Sequence, residues 1–127
     1  MSTVQIAVIG SESSQVLAST TGIQGPAGIS SYATISGTSY TLSNIDRSKI
    51  LIFTASGATT VTVPSDLSTV FDTMIVQSGL GQVTVSGASG VTINAALSAT
   101  KTAYRYAVAT LLPIGTNAFI LSGEVTA

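Results

Sequence analysis

The sequence predicts an all-β chain with three parts: a short amino-terminal β segment, a glycine-repeat linker and an antiparallel β domain. Short runs of alternating apolar residues are separated by turn dipeptides such as Ser56-Gly57 and Ser78-Gly79. No segment carries an apolar stripe of 3.6-residue period flanked by charge, which argues against long helices. Charged residues make up only 7% of the chain, so packing and association must supply the stability that ion pairs do not.

Residues 1–21 are predicted to form an extended or hairpin anchor. Apolar residues alternate along the first strand, a Gly-Ser-rich turn follows, and a second short strand returns. A lone hairpin is marginal in water, so this segment should dock on its own copies or on another protein. The predicted docking residues are Val4, Ile6, Val8, Val16 and Leu17.

Residues 22–29 are predicted to form a linker, because glycine occupies every third position. Gly22, Gly25 and Gly28 follow the spacing of collagen, in which only glycine fits where three chains meet, and Pro26 and Ala27 fill the intervening positions. Two triplets are too few for an independent collagen helix, and consecutive turns remain the alternative. The context, between two β segments, favours the neck of a homotrimer.

Residues 30–127 are predicted to form an antiparallel β-sandwich or jelly-roll-like domain, because short strands recur at regular spacing. One helical turn is expected at Ser65–Phe71. The predicted strands are Tyr32–Ile35, Ser39–Leu42, Lys49–Ala55, Thr59–Val63, Thr73–Gln77, Gln82–Val85, Val91–Ile93, Tyr104–Leu112 and Asn117–Leu121.

Composition argues against an enzyme. The chain lacks Cys and His, and therefore has no thiolate nucleophile, no imidazole base and no soft-ligand zinc site. Asp66 and Asp72 are the only acidic pair close in sequence, and both are better explained as turn residues. Lys49 and Lys101 could serve a Ser-Lys pair, but neither lies in a recognisable motif. No catalytic residue, metal or cofactor is predicted.

The sequence also limits the partners. A net charge of -1 gives no basic patch for nucleic acid, and no apolar run approaches the roughly 20 residues that span a bilayer. The amino terminus has no basic region followed by an apolar core, so we expect no signal peptide and synthesis in the cytoplasm.

Tyr104, Arg105 and Tyr106 form the only aromatic and basic cluster in the chain. In a strand, both tyrosines would lie on one face and Arg105 on the other. Such groups can stack on sugars or bases, but packing or a subunit interface is the favoured interpretation.

The order of several β motifs resembles small virion proteins and fibre modules of tailed bacteriophages, in which an attachment segment leads through a Gly-Pro-Ala-Gly-type linker into a β domain. The resemblance covers about residues 22–123, and its most specific motif is Gly81–Val85. The similar elements are Tyr40–Leu42, Ile50–Thr54, Thr60–Pro64, Ile75–Val85, Val91–Asn94, Ala107–Leu111 and Phe119–Gly123.

This resemblance implies a trimeric, non-enzymatic β domain on the outside of a virion, on the head or on the tail. The chain departs from long receptor-binding fibres because it shows no repeats, shaft or distal tip domain, so a capsid decoration protein or short head fibre fits its length better. The expected partners are its own copies and the major capsid protein or another virion protein.

Two other functions stay open. The chain could be a tail-fibre or tail-tip component that binds host-surface carbohydrate, with Tyr104 and Tyr106 as the aromatic platform. It could instead be a spike that degrades polysaccharide, which the scarcity of carboxylates argues against.

Overall fold

The computed structural model describes residues 31–127, which fold almost entirely as β-strands. Two single-turn 3-10 helices, Asn44–Asp46 and Ala96–Ser98, interrupt them. The strands are β1 (Ser31–Ile35), β2 (Ser39–Thr41), β3 (Lys49–Phe53), β4 (Thr59–Val63), β5 (Thr73–Gln77), β6 (Val83–Gly87), β7 (Thr92–Ala95), β8 (Lys101–Thr102), β9 (Val108–Gly115), β10 (Ala118–Gly123) and β11 (Val125–Thr126).

The strands form two sheets that the chain visits in turn. The first sheet has the order β1-β3-β5-β9-β10-β7, and the second has the order β11-β8-β6-β4-β2. From β1 to β8 each successive strand lies in the other sheet, so the chain winds in coils and the sheets form a solenoid-like stack. The core lies between the sheets.

The predicted antiparallel sandwich is wrong in its pairing. β1, β3 and β5 are parallel, as are β2, β4 and β6. Antiparallel pairs occur where the coil ends, between β5 and β9, β9 and β10, β6 and β8, and β8 and β11. Parallel neighbours need a long crossover, and here the strand in the opposite sheet supplies it.

Contrary to the sequence-based expectation of no repeats, the central coils repeat structurally. Lys49 pairs with Thr73 and Thr59 pairs with Val83, so β5 follows β3 and β6 follows β4 at the same offset of 24 residues. Residues at corresponding positions of two coils are alike in burial rather than in residue type. Buried Leu51 and Val61 are followed one coil later by buried Ile75 and Val85. What repeats from coil to coil is therefore the pattern of buried apolar positions.

Buried apolar side chains from both sheets fill the interior. Leu51, Phe53 and Ile75 from the first sheet meet Val61 and Val83 from the second, and each is at most 1% exposed. The aromatic rings pack edge to face: the centroids of Phe71 and Phe119 are 6.5 Å apart. This single core holds the stack together.

One local prediction is wrong, and two short strands lie outside the predicted set. Residues Ser65–Phe71 contain turns rather than helix, and Asp66 there adopts a positive φ of 71°. The strands β8 and β11 are two residues long, too short for an alternating pattern to reveal. By contrast, the predicted strands Thr59–Val63 and Thr73–Gln77 coincide with β4 and β5.

A buried carboxylate fixes the connection between β2 and β3. Asp46 is 2% exposed, and its side chain accepts hydrogen bonds from the Tyr40 hydroxyl at 2.8 Å and from the Ser43 backbone N–H at 3.0 Å. Burial, the bond to Asp46 and the negative charge of Asp46 together raise the pKa of Tyr40 to about 12.

This raised pKa makes the stability of the fold vary with pH in the alkaline range. The folded chain keeps the Tyr40 proton at pH values where the unfolded chain, with an ordinary tyrosine pKa of about 10, has lost it. We therefore expect the free energy of unfolding to fall between about pH 10 and pH 12. Urea unfolding at several pH values across this range should show that the free energy of unfolding falls less steeply with pH in Tyr40→Phe than in the natural chain. The same pH dependence in both proteins would contradict the assignment.

Candidate functional site

The Tyr104-Arg105-Tyr106 cluster lies in a turn between β8 and β9, not in the predicted strand. The Ala107 N–H donates to the Tyr104 carbonyl at 3.1 Å, and Tyr106 has a positive φ of 68°. This turn conformation replaces the alternation expected of a strand, so the two tyrosines do not share a face opposite Arg105. Both tyrosine side chains are largely exposed.

Contacts on each side hold the turn in place. The Arg105 guanidinium lies 4.8 Å from the centre of the Tyr106 ring, and its Nε donates to the Ser78 carbonyl at 3.0 Å. The Tyr104 hydroxyl donates to Glu124 Oε2 at 3.0 Å, while Glu124 Oε1 accepts from the Val108 N–H. The bond to Glu124, and then its charge, raise the pKa of Tyr104.

This arrangement is suited to stacking and hydrogen bonding rather than to acid–base chemistry. Arg105 covers one face of the Tyr106 ring, and a cation over an aromatic face stabilises the ring position. The phenol of Tyr104 and the guanidinium of Arg105 are both exposed polar groups.

The acidic candidates take part in hydrogen bonds within the fold, and the lysine candidates lie at strand starts. Asp72 accepts a hydrogen bond from the Ser48 hydroxyl at 3.0 Å, and the Asp66 backbone N–H donates to the side chain of Asn117. Lys49 and Lys101 each begin a strand. Within residues 31–127, no group of three or more acidic, His or Cys side chains is placed to hold a metal ion.

The outer face of the first sheet has an apolar centre, a feature that the sequence reasoning missed; the outward residues around it include Thr34, Thr92, Asn94, Thr110 and Ser122. Because side chains alternate along each strand, the residues next to the buried ones point away from the core. We call this surface the apolar face; its members are Tyr32, Ile50, Ile52, Met74, Val76, Val108, Leu112 and Ile120. The run Ile50–Phe53, apolar at every position, was the available signal.

The apolar face is continuous across the central strands of the sheet, although Met74 is followed in its row by Thr110 and Ser122. In one row Tyr32 pairs with Ile50, which pairs with Met74, and in the next row Ile52 pairs with Val76, which pairs with Val108. Tyr32 is 71% exposed. No charged residue occupies an outward position on β1, β3, β5, β9 or β10.

The outer face of the second sheet is different in chemistry. Strands β2, β4 and β6 present hydroxyl side chains there, and we call this surface the hydroxyl face; its members are Ser39, Thr41, Thr60, Thr62, Thr84 and Ser86. Lys101 lies beside Thr84 at its edge. The centres of the two faces therefore differ in polarity although they belong to the same coils.

The remaining predicted site residues lie outside the described part of the chain. These are the docking residues Val4, Ile6, Val8, Val16 and Leu17 and the neck residues Gly22, Gly25, Pro26, Ala27 and Gly28. In residues 31–127 no helix is both long and apolar enough to cross a bilayer.

Comparison with known proteins identifies no relative. No protein-family model matches the chain, and neither a curated protein nor a solved structure matches it significantly. Functional inference therefore depends on the residues and their arrangement.

Proposed function

We propose that the chain is a non-enzymatic structural protein of a tailed-bacteriophage virion, a homotrimeric capsid decoration protein or short head fibre. Residues 1–21 attach it to the major capsid protein or another virion protein. Residues 22–29 gather three chains, and the β stack forms the body on the outer surface of the particle.

The observation that carries the proposal is the direct connection between the glycine triplets and the β stack. Strand β1 begins at Ser31, and only Ile29 and Ser30 separate it from Gly28. A neck followed at once by a β body is the order expected of a short trimeric fibre. The scarcity of charged residues agrees with a body whose flanks are covered by identical copies.

Sedimentation of the full chain and analysis of purified virions test this function. We expect a trimer at micromolar concentration, and we expect the chain among the proteins of particles assembled from the genome that encodes it. Deleting residues 1–21 should leave a trimer that no longer joins the particle. A monomeric full chain, or particles that lack the chain, would overturn the proposal.

A second candidate function is carbohydrate binding by a tail fibre or tail tip. It is favoured by the turn that exposes Tyr104 and Tyr106 and orients Arg105 over the Tyr106 ring. Glycan-array binding by the full chain should then fall at least about tenfold in Tyr106→Ala, the size expected for a lost stacking contact. An array without binding would remove this candidate.

A further inference from the structure

We infer that the apolar face is the surface through which copies of this chain pack against one another. The inference rests on the proposed homotrimer and names the part of the β stack that forms its interface. The occupant is a second copy of the same chain, and the hydroxyl face remains in contact with solvent.

The size of the apolar face is typical of an interaction surface. Its members lie on five strands about 4.8 Å apart, each rising about 17 Å over five residues, which gives an outline on the order of 400 Å². Apolar patches of about this size on soluble proteins are often functional. A standard interface takes about 800 Å² from each partner, so this face would supply a large part of one.

The chemistry of the face favours an identical copy over a foreign protein. Ile50, Ile52, Met74 and Val76 form its centre, and its outward strand positions carry no charge that could select an oppositely charged partner. Interfaces between identical subunits are more apolar than other interfaces, and the centre of an interface is depleted in charged residues. The hydroxyl face has no such apolar centre.

The position of the neck also points to this face. Three residue steps from Gly28 to Ser31 span at most about 10 Å, so chains gathered at the glycine triplets would bring their β1 strands close to a common axis. Strand β1 is an edge strand of the first sheet, and its exposed Tyr32 belongs to the apolar face. The β1 edge of this face would therefore lie near the axis along which copies meet.

A charge placed on each face tests the inference in the full chain. Met74→Lys puts an ammonium at the centre of the apolar face, and Thr62→Lys puts the same group on the hydroxyl face, at a position that is also half-buried. We expect Met74→Lys to weaken association at least tenfold by sedimentation, while Thr62→Lys stays trimeric. Circular dichroism establishes that each variant is folded.

Cysteine labelling provides a second measurement with gentler substitutions. The natural chain contains no cysteine, so Met74→Cys and Thr62→Cys each introduce a unique thiol. In the trimer we expect a maleimide to label Met74→Cys at least tenfold more slowly than Thr62→Cys. Equal rates would overturn the inference.

The outcomes separate this inference from the function on which it depends. A monomeric natural chain would overturn both, and protection of Met74→Cys in such a monomer would mean that residues 1–30 of the same chain cover the face. A natural trimer that survives Met74→Lys, with equal labelling at both positions, would overturn the interface alone. The proposed trimer would then use another surface.

Discussion

Replacing Gly81 with alanine should destabilise the fold by about 3 kcal/mol or more, at the upper end of the range for overpacked interiors. A Cβ built on Gly81 would lie 1.8 Å from the Gly57 carbonyl oxygen and 2.9 Å from that of Ala55. The backbone cannot easily withdraw, because the Gly81 N–H donates to the Ala55 carbonyl and the Thr59 N–H donates to the Gln82 carbonyl. Glycine is needed at position 81 because the corner that contains it lies directly against the corner at residues 55–57.

Gly57→Ala is the matched control, since Gly57 occupies the equivalent corner one coil earlier. A Cβ there meets Thr38 Cγ2 at 3.7 Å, an ordinary contact. Alanine also restricts the unfolded chain, so we expect a change within about 1 kcal/mol of the natural protein. Urea unfolding of both variants gives the comparison. Equal stabilities for Gly57→Ala and Gly81→Ala would show that the corners are not packed as described.

The strands were predictable because alternation is strongest where one face of a strand is buried. In Thr59–Val63 and Thr73–Gln77 every second residue is buried, and both ranges followed from the sequence. Alternation does not identify the neighbouring strand, however. The parallel pairing of β3 with β5 and of β4 with β6 follows an offset of 24 residues, which shows in burial rather than in repeated residue types.

The turn at Tyr104–Tyr106 shows a second limit of sequence reasoning. The segment contains no glycine, proline or asparagine that would predict a turn, and its aromatic residues are typical of strands. The structure places it in a turn instead, tied through Arg105 to the corner at Ser78, 27 residues away. The conformation of this segment depends on contacts between residues far apart in the sequence, and local propensity does not predict such contacts.

The buried polar cluster around Thr102 joins the two sheets near the same corner. The Thr102 hydroxyl donates to Gln77 Oε1 and accepts from the Val83 N–H at 2.9 Å. Gln77 belongs to the first sheet, whereas Val83 and Thr102 belong to the second. Gln77 and Thr102 are at most 3% exposed, so water cannot replace a lost partner.

Thr102→Val should therefore cost about 2–4 kcal/mol, because an isosteric side chain leaves two buried polar groups without a partner and each costs about 1–3 kcal/mol. Chemical denaturation measures the loss. Thr102→Ser keeps the hydroxyl and should retain most of the stability. Thr84→Val, on the hydroxyl face of the adjacent strand, should change stability by less than about 0.5 kcal/mol.

A double variant distinguishes the polar cost from a packing cost. In Thr102→Val with Gln77→Leu, the unpaired Gln77 oxygen is removed along with its partner, and only the Val83 N–H stays unsatisfied. The combined loss should then be smaller than the sum of the single losses, by about 1 kcal/mol or more. Additive losses would mean that the Thr102–Gln77 hydrogen bond does not couple the sheets, and that the core alone holds them together.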